Sequence, residues 1–240
     1  MPHCRIYLNN ELQIGHEAPI PADQGHYLRH VMRLACGDGI TVFNGRGGEY
    51  RATISQLSRS HSSCLIESFA NVSREMPVRI HIIQCANKGE KIETVLQKCT
   101  ELGVASFQVT SSERSQFRLA EKKLHSRLDR WQRIIVEAAE QSQRTAIPAL
   151  AWCSSLKNIQ TVGQAYLLHP EAARQWQEVK ENIATASDIT LAVGPEGGWS
   201  RRDLETLSSL GFTPLIFGPR ILRTETAAPA LTAAIQAILN

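Results

Sequence analysis

The chain has 240 residues, 42% of them hydrophobic, which is enough for one large or two small domains with a true core. No apolar run approaches membrane-spanning length and the amino-terminal MPHCRIYLNN lacks the apolar core of a signal peptide, so a cytoplasmic protein is expected. A net charge of +3 permits a polyanionic partner without demanding one, and the scattered Cys4, Cys36, Cys64, Cys85, Cys99 and Cys153 show no CxxC or zinc-ribbon spacing that would suggest a disulfide framework or a metal.

Residues 1 to about 70 read as β-rich. The piece His26–Leu34 has helical spacing, with Tyr27, Val31 and Leu34 on one face and Arg29, Arg33, His26 and His30 on the other. A His pair at that spacing lacks the third ligand that a metal requires, so the face reads as solvated or RNA-facing and no metal is expected. Ile40–Phe43 and Tyr50–Ile54 read as strands joined by Asn44-Gly-Arg-Gly-Gly-Glu49, whose glycines supply the positive φ of a tight hairpin. Ser63–Ser68 extends the meander.

The polar stretch Asn71–Pro77 suits a linker, which places a first domain at residues 1–72 and a second at 73–240. Beyond it strands and helices alternate. Val78–Ala86 is a strand and Gly89–Leu102 a helix striped by Ile92, Val95, Leu96, Cys99 and Leu102. Ala105–Thr110 is the next strand, and Leu119–Gln141 a helix with Leu124, Leu128, Trp131, Ile135 and Ala138 inward. Then come strand Ala165–His169, helix Glu171–Ile183, strand Ile189–Val193, helix Arg201–Leu210, strand Thr213–Phe217 and helix Thr224–Leu239. Such alternation predicts an α/β domain with a mostly parallel sheet covered on both faces.

Two of these strands end in the same way. Ile189–Val193 runs into Gly194-Pro195-Glu196-Gly197-Gly198, and Thr213–Phe217 into Gly218-Pro219. At the carboxyl tip of a buried strand glycine admits a ligand close to the backbone, while proline fixes the exit direction and removes an N–H. Ligands of open α/β sheets bind outside those tips. No dinucleotide GxGxxG lies between a strand and a helix, and neither a Walker A sequence nor a GxSxG elbow occurs.

Between Arg114 and Arg133 lie Arg114, Arg118, Lys122, Lys123, Arg127, Arg130 and Arg133 against only Glu121 and Asp129. Such a face is either solvated or a track for a nucleic-acid backbone.

Taken together, GPEGGWS, FGPRILRTETA, the Glu113–Ser115 ERS, KxxELGV at Lys98–Val104, RWQRIIVEAAEQSQR at Arg130–Arg144 and the amino-terminal HYLRHVMRLACGDGITVFNG resemble the ribosomal RNA small subunit methyltransferase E family over nearly the whole chain. The resemblance implies a small PUA-like β-barrel that binds RNA, then a SPOUT-class domain with a carboxyl-terminal trefoil knot. It also implies a homodimer that transfers a methyl group from S-adenosylmethionine to N3 of a uridine in 16S ribosomal RNA of the small subunit.

Carried onto these residues, cofactor contacts fall on Leu168, His169 and Pro170, on Gly194, Pro195, Glu196, Gly197 and Gly198, and on Phe217, Gly218, Ile221, Leu222, Arg223 and Thr226. A uridine N3 must lose its proton before it attacks a methyl carbon, so the site must stabilise an anion or supply a base. Arg114 and Arg223 are candidates for the first role. Glu225 is a candidate base or an orienter of Arg223, unless it is simply a carboxylate at a helix start. His169 is expected to shape the pocket, and Trp199 either packs the domain or stacks on a base. RNA contacts are expected at Arg29, Arg33, Arg118, Lys122, Lys123, Arg127 and Arg130. The other readings are a SPOUT enzyme acting on ribose 2′-oxygen or transfer RNA, and a noncatalytic ribosome-assembly factor.

Overall fold

A computed structural model describes residues 4–87, 91–115 and 121–239. The chain divides into two compact units, Met1–Glu75 with Ala139–Ile147, and Met76–Ala138 with Pro148–Asn240.

The first unit is built on a five-stranded sheet of β1 (Arg5–Tyr7), β2 (Glu17–Pro19), β3 (Gly39–Phe43), β4 (Glu49–Leu57) and β5 (Ser62–Ala70), in the order β1-β3-β4-β5-β2. The β3–β4 hairpin turns on the expected glycines, with φ of +76° at Gly45, +93° at Gly47 and +68° at Gly48. Gly48 also has no room for a side chain, because a Cβ there would lie 2.3 Å from the Phe69 ring.

The helix of this unit, α1 (Ala22–His30), starts earlier and ends sooner than its periodicity suggests. Gly25 and Leu28 face the core, while Tyr27 and Val31 are exposed. The expected Tyr27/Val31/Leu34 face therefore does not form. Arg33 sits beyond the helix at φ +56°, a conformation no helix can contain.

Residues 139–147 join this unit through buried charge. Arg144, 3% exposed, donates from Nε to Glu75 Oε2 at 3.1 Å, and Arg5 Nη2 donates to the Arg144 carbonyl at 2.6 Å. The Tyr7 N–H bonds Glu140 Oε1 at 2.7 Å, and Arg46 bridges Ala146.

The second unit runs β6 (Arg79–Cys85), α2 (Lys91–Glu101), β7 (Ser106–Thr110), α3 (Glu121–Gln141), β8 (Ala149–Cys153), β9 (Gln164–Leu168), α4 (Trp176–Ala184), β10 (Asp188–Val193), α5 (Arg201–Ser209), β11 (Thr213–Leu215) and α6 (Thr224–Leu239). All six strands pair in parallel, in the order β11-β9-β10-β6-β7-β8. Every residue of β10 is buried, as expected of an apolar strand covered on both faces. The stripe of α2 is inward at Ile92, Val95, Leu96 and Cys99, and α6 packs on α2. Among the described residues no helix is long and apolar enough to cross a membrane.

Three elements of this second unit also differ from the sequence reading. Strand β8 was not anticipated: it is an edge strand in which Ala149 and Ala151 are exposed, Leu150 and Trp152 half-buried and only Cys153 buried, so it lacks the apolar run of its neighbours. Helix α4 begins at Trp176 rather than near Glu171, because Gln175 and Glu178 form a capping box there. Strand β11 stops at Leu215, and Ile216 leaves the sheet to bond the Arg174–Trp176 segment.

Candidate functional site

Strands β9, β10 and β11 carry their carboxyl tips to a single cavity of about 760 Å³. From β9 come Leu168, His169 and Pro170; from β10, Gly194 through Gly198; from β11, Phe217, Gly218, Ile221, Leu222 and Arg223. Of the residues assigned to the cofactor from sequence, Thr226 alone is missing from the lining. It is exposed on α6, where its N–H serves the start of the helix by donating to the Arg223 carbonyl at 2.9 Å.

Each tip is fixed by a contact the sequence does not announce. Trp199 is buried at 5% exposure, and its indole Nε1 donates to the Leu168 carbonyl at 3.1 Å. The indole also lies where a Gly194 Cβ would sit, 3.0 Å from the nearest ring atom, which explains glycine at that tip. Trp199 thus packs the domain while also lining the cavity. Phe217 meets the Trp176 ring edge-on, with centroids 5.7 Å apart. Gly218 turns the chain at φ +74°. The His169 ring is pinned as well, its Nδ1 accepting from the Glu171 N–H at 3.2 Å.

Arg114 reaches the same cavity from a separate segment. Its Nη1 donates to the Gly197 carbonyl at 3.2 Å, and a Gly197 Cβ would lie 3.3 Å from the Arg114 Cβ. The flanking residues hold it there. The Glu113 N–H bonds Asp203 Oδ1 at 3.3 Å, and Ser115 Oγ donates to the Ala86 carbonyl at 2.8 Å. Asp203 is itself fixed by a capping box with Ser200 at the start of α5, so GPEGGWS and ERS are one structure.

Arg223, exposed, and Glu225, half-buried, also line the cavity. Burial pushes the Glu225 carboxyl up, but its own backbone N–H, Lys91, the Thr224 hydroxyl and Arg223 outweigh it and hold the group below the usual carboxylate range. A carboxyl lowered in this way is ionised and a weak base, which suits the helix-start position it occupies.

Lys91, the first residue of α2, was missed. It lines the cavity, its ammonium bonds Glu196, and it lies 3.7 Å from Glu225 Oε1. The available signal was the glycine-containing AlaAsnLysGlyGluLys run directly after an apolar strand, which shares a glycine, though no proline, with the tips of β10 and β11. Asn87 of that run is buried and donates to Thr224 Oγ1, tying the tip of β6 to the start of α6.

The basic track is only partly free. Lys122 and Lys123 are exposed on α3, whereas Arg130 bonds Glu93 Oε2 at 2.6 Å and Arg127 bonds Glu93 Oε1 at 3.5 Å. Glu93 is buried on α2, so these arginines neutralise it. Arg118 lies outside the described residues. Arg29 and Arg33 belong to the first unit, where Arg29 Nε donates to His30 Nε2 at 3.0 Å. No group of His, Cys, Asp or Glu able to hold a metal occurs among the described residues.

Both units match known families. Residues 74–236 match the RNA methyltransferase domain and residues 20–67 the RNA methyltransferase PUA domain, so the chain is of the RNA methyltransferase class with a PUA-like domain. A ribosomal RNA small subunit methyltransferase E from Bacillus subtilis is 32% identical over 93% of this chain and 92% of its own length. A protein from Legionella pneumophila, solved in complex with bound cofactor SAM, aligns with a TM-score of 0.91 and 34% identity over 99% of this chain and 98% of that one. A ribosomal RNA small subunit methyltransferase E from Neisseria gonorrhoeae, bound to S-adenosyl methionine, aligns at 0.88 and 29% identity over 98% of both chains. The chain belongs to the ribosomal RNA small subunit methyltransferase E family.

Proposed function

We propose that this chain methylates N3 of a uridine in 16S ribosomal RNA of the small subunit, using S-adenosylmethionine. The observation that carries the reading is the convergence of three strand tips on one cavity, two of them turning at Gly-Pro and the third at Pro170, with Arg114 and Arg223 in its wall.

The residues fit the cofactor. A cavity of about 760 Å³ falls within the ~300–1,000 Å³ of small-ligand sites. Leu168, Val193, Ile216, Phe217 and Leu222 supply apolar walls for adenine, and the Gly194–Gly198 turn lets the backbone come close. When bound, the cofactor supplies an electrophilic methyl group on a sulfonium. The protein's part is to exclude water along the apolar wall and to orient the uracil toward that methyl. Arg114 and Arg223 offset the negative charge that grows on the uracil as N3 loses its proton.

The first unit, with Arg29 and Arg33, and the exposed Lys122 and Lys123 of α3 are proposed to hold the RNA backbone. The first domain is proposed to span residues 1–72 and the second 73–240, the second lending residues 139–147 to the first unit and carrying a carboxyl-terminal trefoil knot. The strand order supports the knot, since β11 lies beyond β9 on the side away from β10 and α6 then returns to pack on α2. A homodimer in the cytoplasm completes the reading. Ile221, apolar and 84% exposed at the cavity, suits cover by a second copy.

Titration calorimetry with S-adenosylmethionine, followed by nucleoside mass mapping of small-subunit RNA from a deletion strain, tests this function. The expected result is tight cofactor binding and loss of a single N3-methyluridine that the restored gene returns. A missing 2′-O-methyl mark, or no cofactor binding, overturns it.

A further inference from the structure

The cavity wall also holds a lysine, whose surroundings differ from those of Arg114 and Arg223. Lys91 opens α2 with its side chain 36% exposed, against the turn that follows β10 and the first turn of α6. Its ammonium bonds Glu196 and lies 3.7 Å from Glu225, while Thr224 Oγ1 donates to Glu225 Oε2 at 3.3 Å and accepts from Asn87. Two carboxylates thus fix one ammonium at the cavity. The bond to Glu196, with the charges of Glu196 and Glu225, also raises the affinity of Lys91 for its proton against burial and the repulsion of Arg223.

An ammonium has three donors. Glu196 takes one, and even with Glu225 taking a second, one is left for a ligand in the cavity. A group so firmly protonated cannot be the base. What it can do is stabilise an anion beside it.

Resting on the uridine-N3 reading above, we propose that Lys91 is a catalytic residue whose ammonium donates to a uracil carbonyl oxygen and lowers the acidity threshold of N3. The N3 proton passes to solvent and the negative charge spreads onto the carbonyl oxygens, one of which Lys91 meets. The N3 lone pair then forms the new carbon–nitrogen bond, and the electrons of the methyl–sulfur bond return to sulfur. Glu196 and Glu225 act through Lys91 as positioning residues. This gives the glutamate of GPEGG and that of RTETA one shared task.

The test uses the full chain with K91M and K91R. Methyl transfer from labelled S-adenosylmethionine to small ribosomal subunits is followed in single turnovers from mildly acidic to strongly alkaline pH, with cofactor affinity measured by calorimetry. K91M is expected to slow transfer roughly 100-fold at neutral pH, the scale of losing one preorganised donor to a developing anion. Its cofactor affinity should be unchanged, and its deficit should shrink as rising pH ionises N3 without help. K91R should recover most of the rate. A deficit constant across pH, a parallel loss of cofactor affinity, or a K91M that works like wild type overturns the proposal, the second by reducing Lys91 to a clamp on the cofactor turn. A wild-type chain that places no methyl on N3 fails the function reading itself, and this inference with it.

Discussion

The indole Nε1 of Trp199 donates to the main-chain oxygen of Leu168 at 3.1 Å, and the same ring fills the space beside the Gly194 Cα. One buried side chain therefore sets the spacing between the tips of β9 and β10. The cavity inherits its width from that packing.

Gly194→Ala follows directly. The added methyl would lie 3.0 to 3.2 Å from three indole atoms, and a ring 5% exposed within a buried apolar cluster has little room to retreat. Overpacking of this kind costs about 1–3 kcal/mol. Urea denaturation should show the loss, and calorimetry should show weaker S-adenosylmethionine binding.

Trp199→Phe keeps most of the packing and removes the bond to Leu168. The expected loss of stability is about 1 kcal/mol. Cofactor affinity should fall as well, because Leu168 lines the cavity. A variant with unchanged affinity would show that the bond does not govern the slot.

The RNA track needs variants chosen by partner. Removing Arg127 and Arg130 leaves Glu93 buried without its arginines, at a cost of roughly 1–3 kcal/mol, so the pair confounds stability with binding. Lys122→Ala with Lys123→Ala avoids this, both residues being exposed. That double variant should melt like wild type yet bind RNA more weakly, with the slope of log affinity against log salt reduced by roughly one to two units. Filter binding over a salt series is the measurement.

Acid should weaken the second unit through Asp188. Its carboxyl accepts from Arg79 Nη2 at 2.8 Å and lies 2.9 Å from His81 Nε2, and these bonds hold it well below the usual carboxylate range against the opposing effect of burial. A depressed folded-state pKa gives stability that is present above the unfolded value of about 3.9 and is lost as pH falls through the folded one. The denaturation midpoint should drop as pH falls below about 4. Asp188→Asn should start lower at neutral pH and lose less on acidification.

Cysteine reactivity separates surface from core. Burial pushes the thiols of Cys85 and Cys99 up to about 12 and those of Cys4 and Cys64 up to about 11, whereas Cys36 is exposed. A thiol reagent at neutral pH should label Cys36 in the native protein and the others only in denaturant, as mass spectrometry of the labelled chain would show.

Much of this molecule is legible along the chain. The repeated apolar run, glycine and proline gave the strand tips, and helical periodicity gave α2, α3, α5 and α6 nearly to the residue, because both signals are local. Strand β8 and the true face of α1 escaped, since an edge strand is half exposed and a short helix takes its inward face from the core it meets.

The linear order of residues settled which elements would form and which of their ends would be shaped for a ligand, through backbone freedom at glycine, the fixed φ of proline, and period. Only the tertiary structure brought Lys91 to Glu196 and Glu225, paired Arg127 and Arg130 with Glu93, seated Trp199 under Leu168, and gave residues 139–147 to the first unit. Those are contacts between residues far apart in sequence. They depend on strand order and on the balance of buried charge, neither of which any single stretch of chain contains.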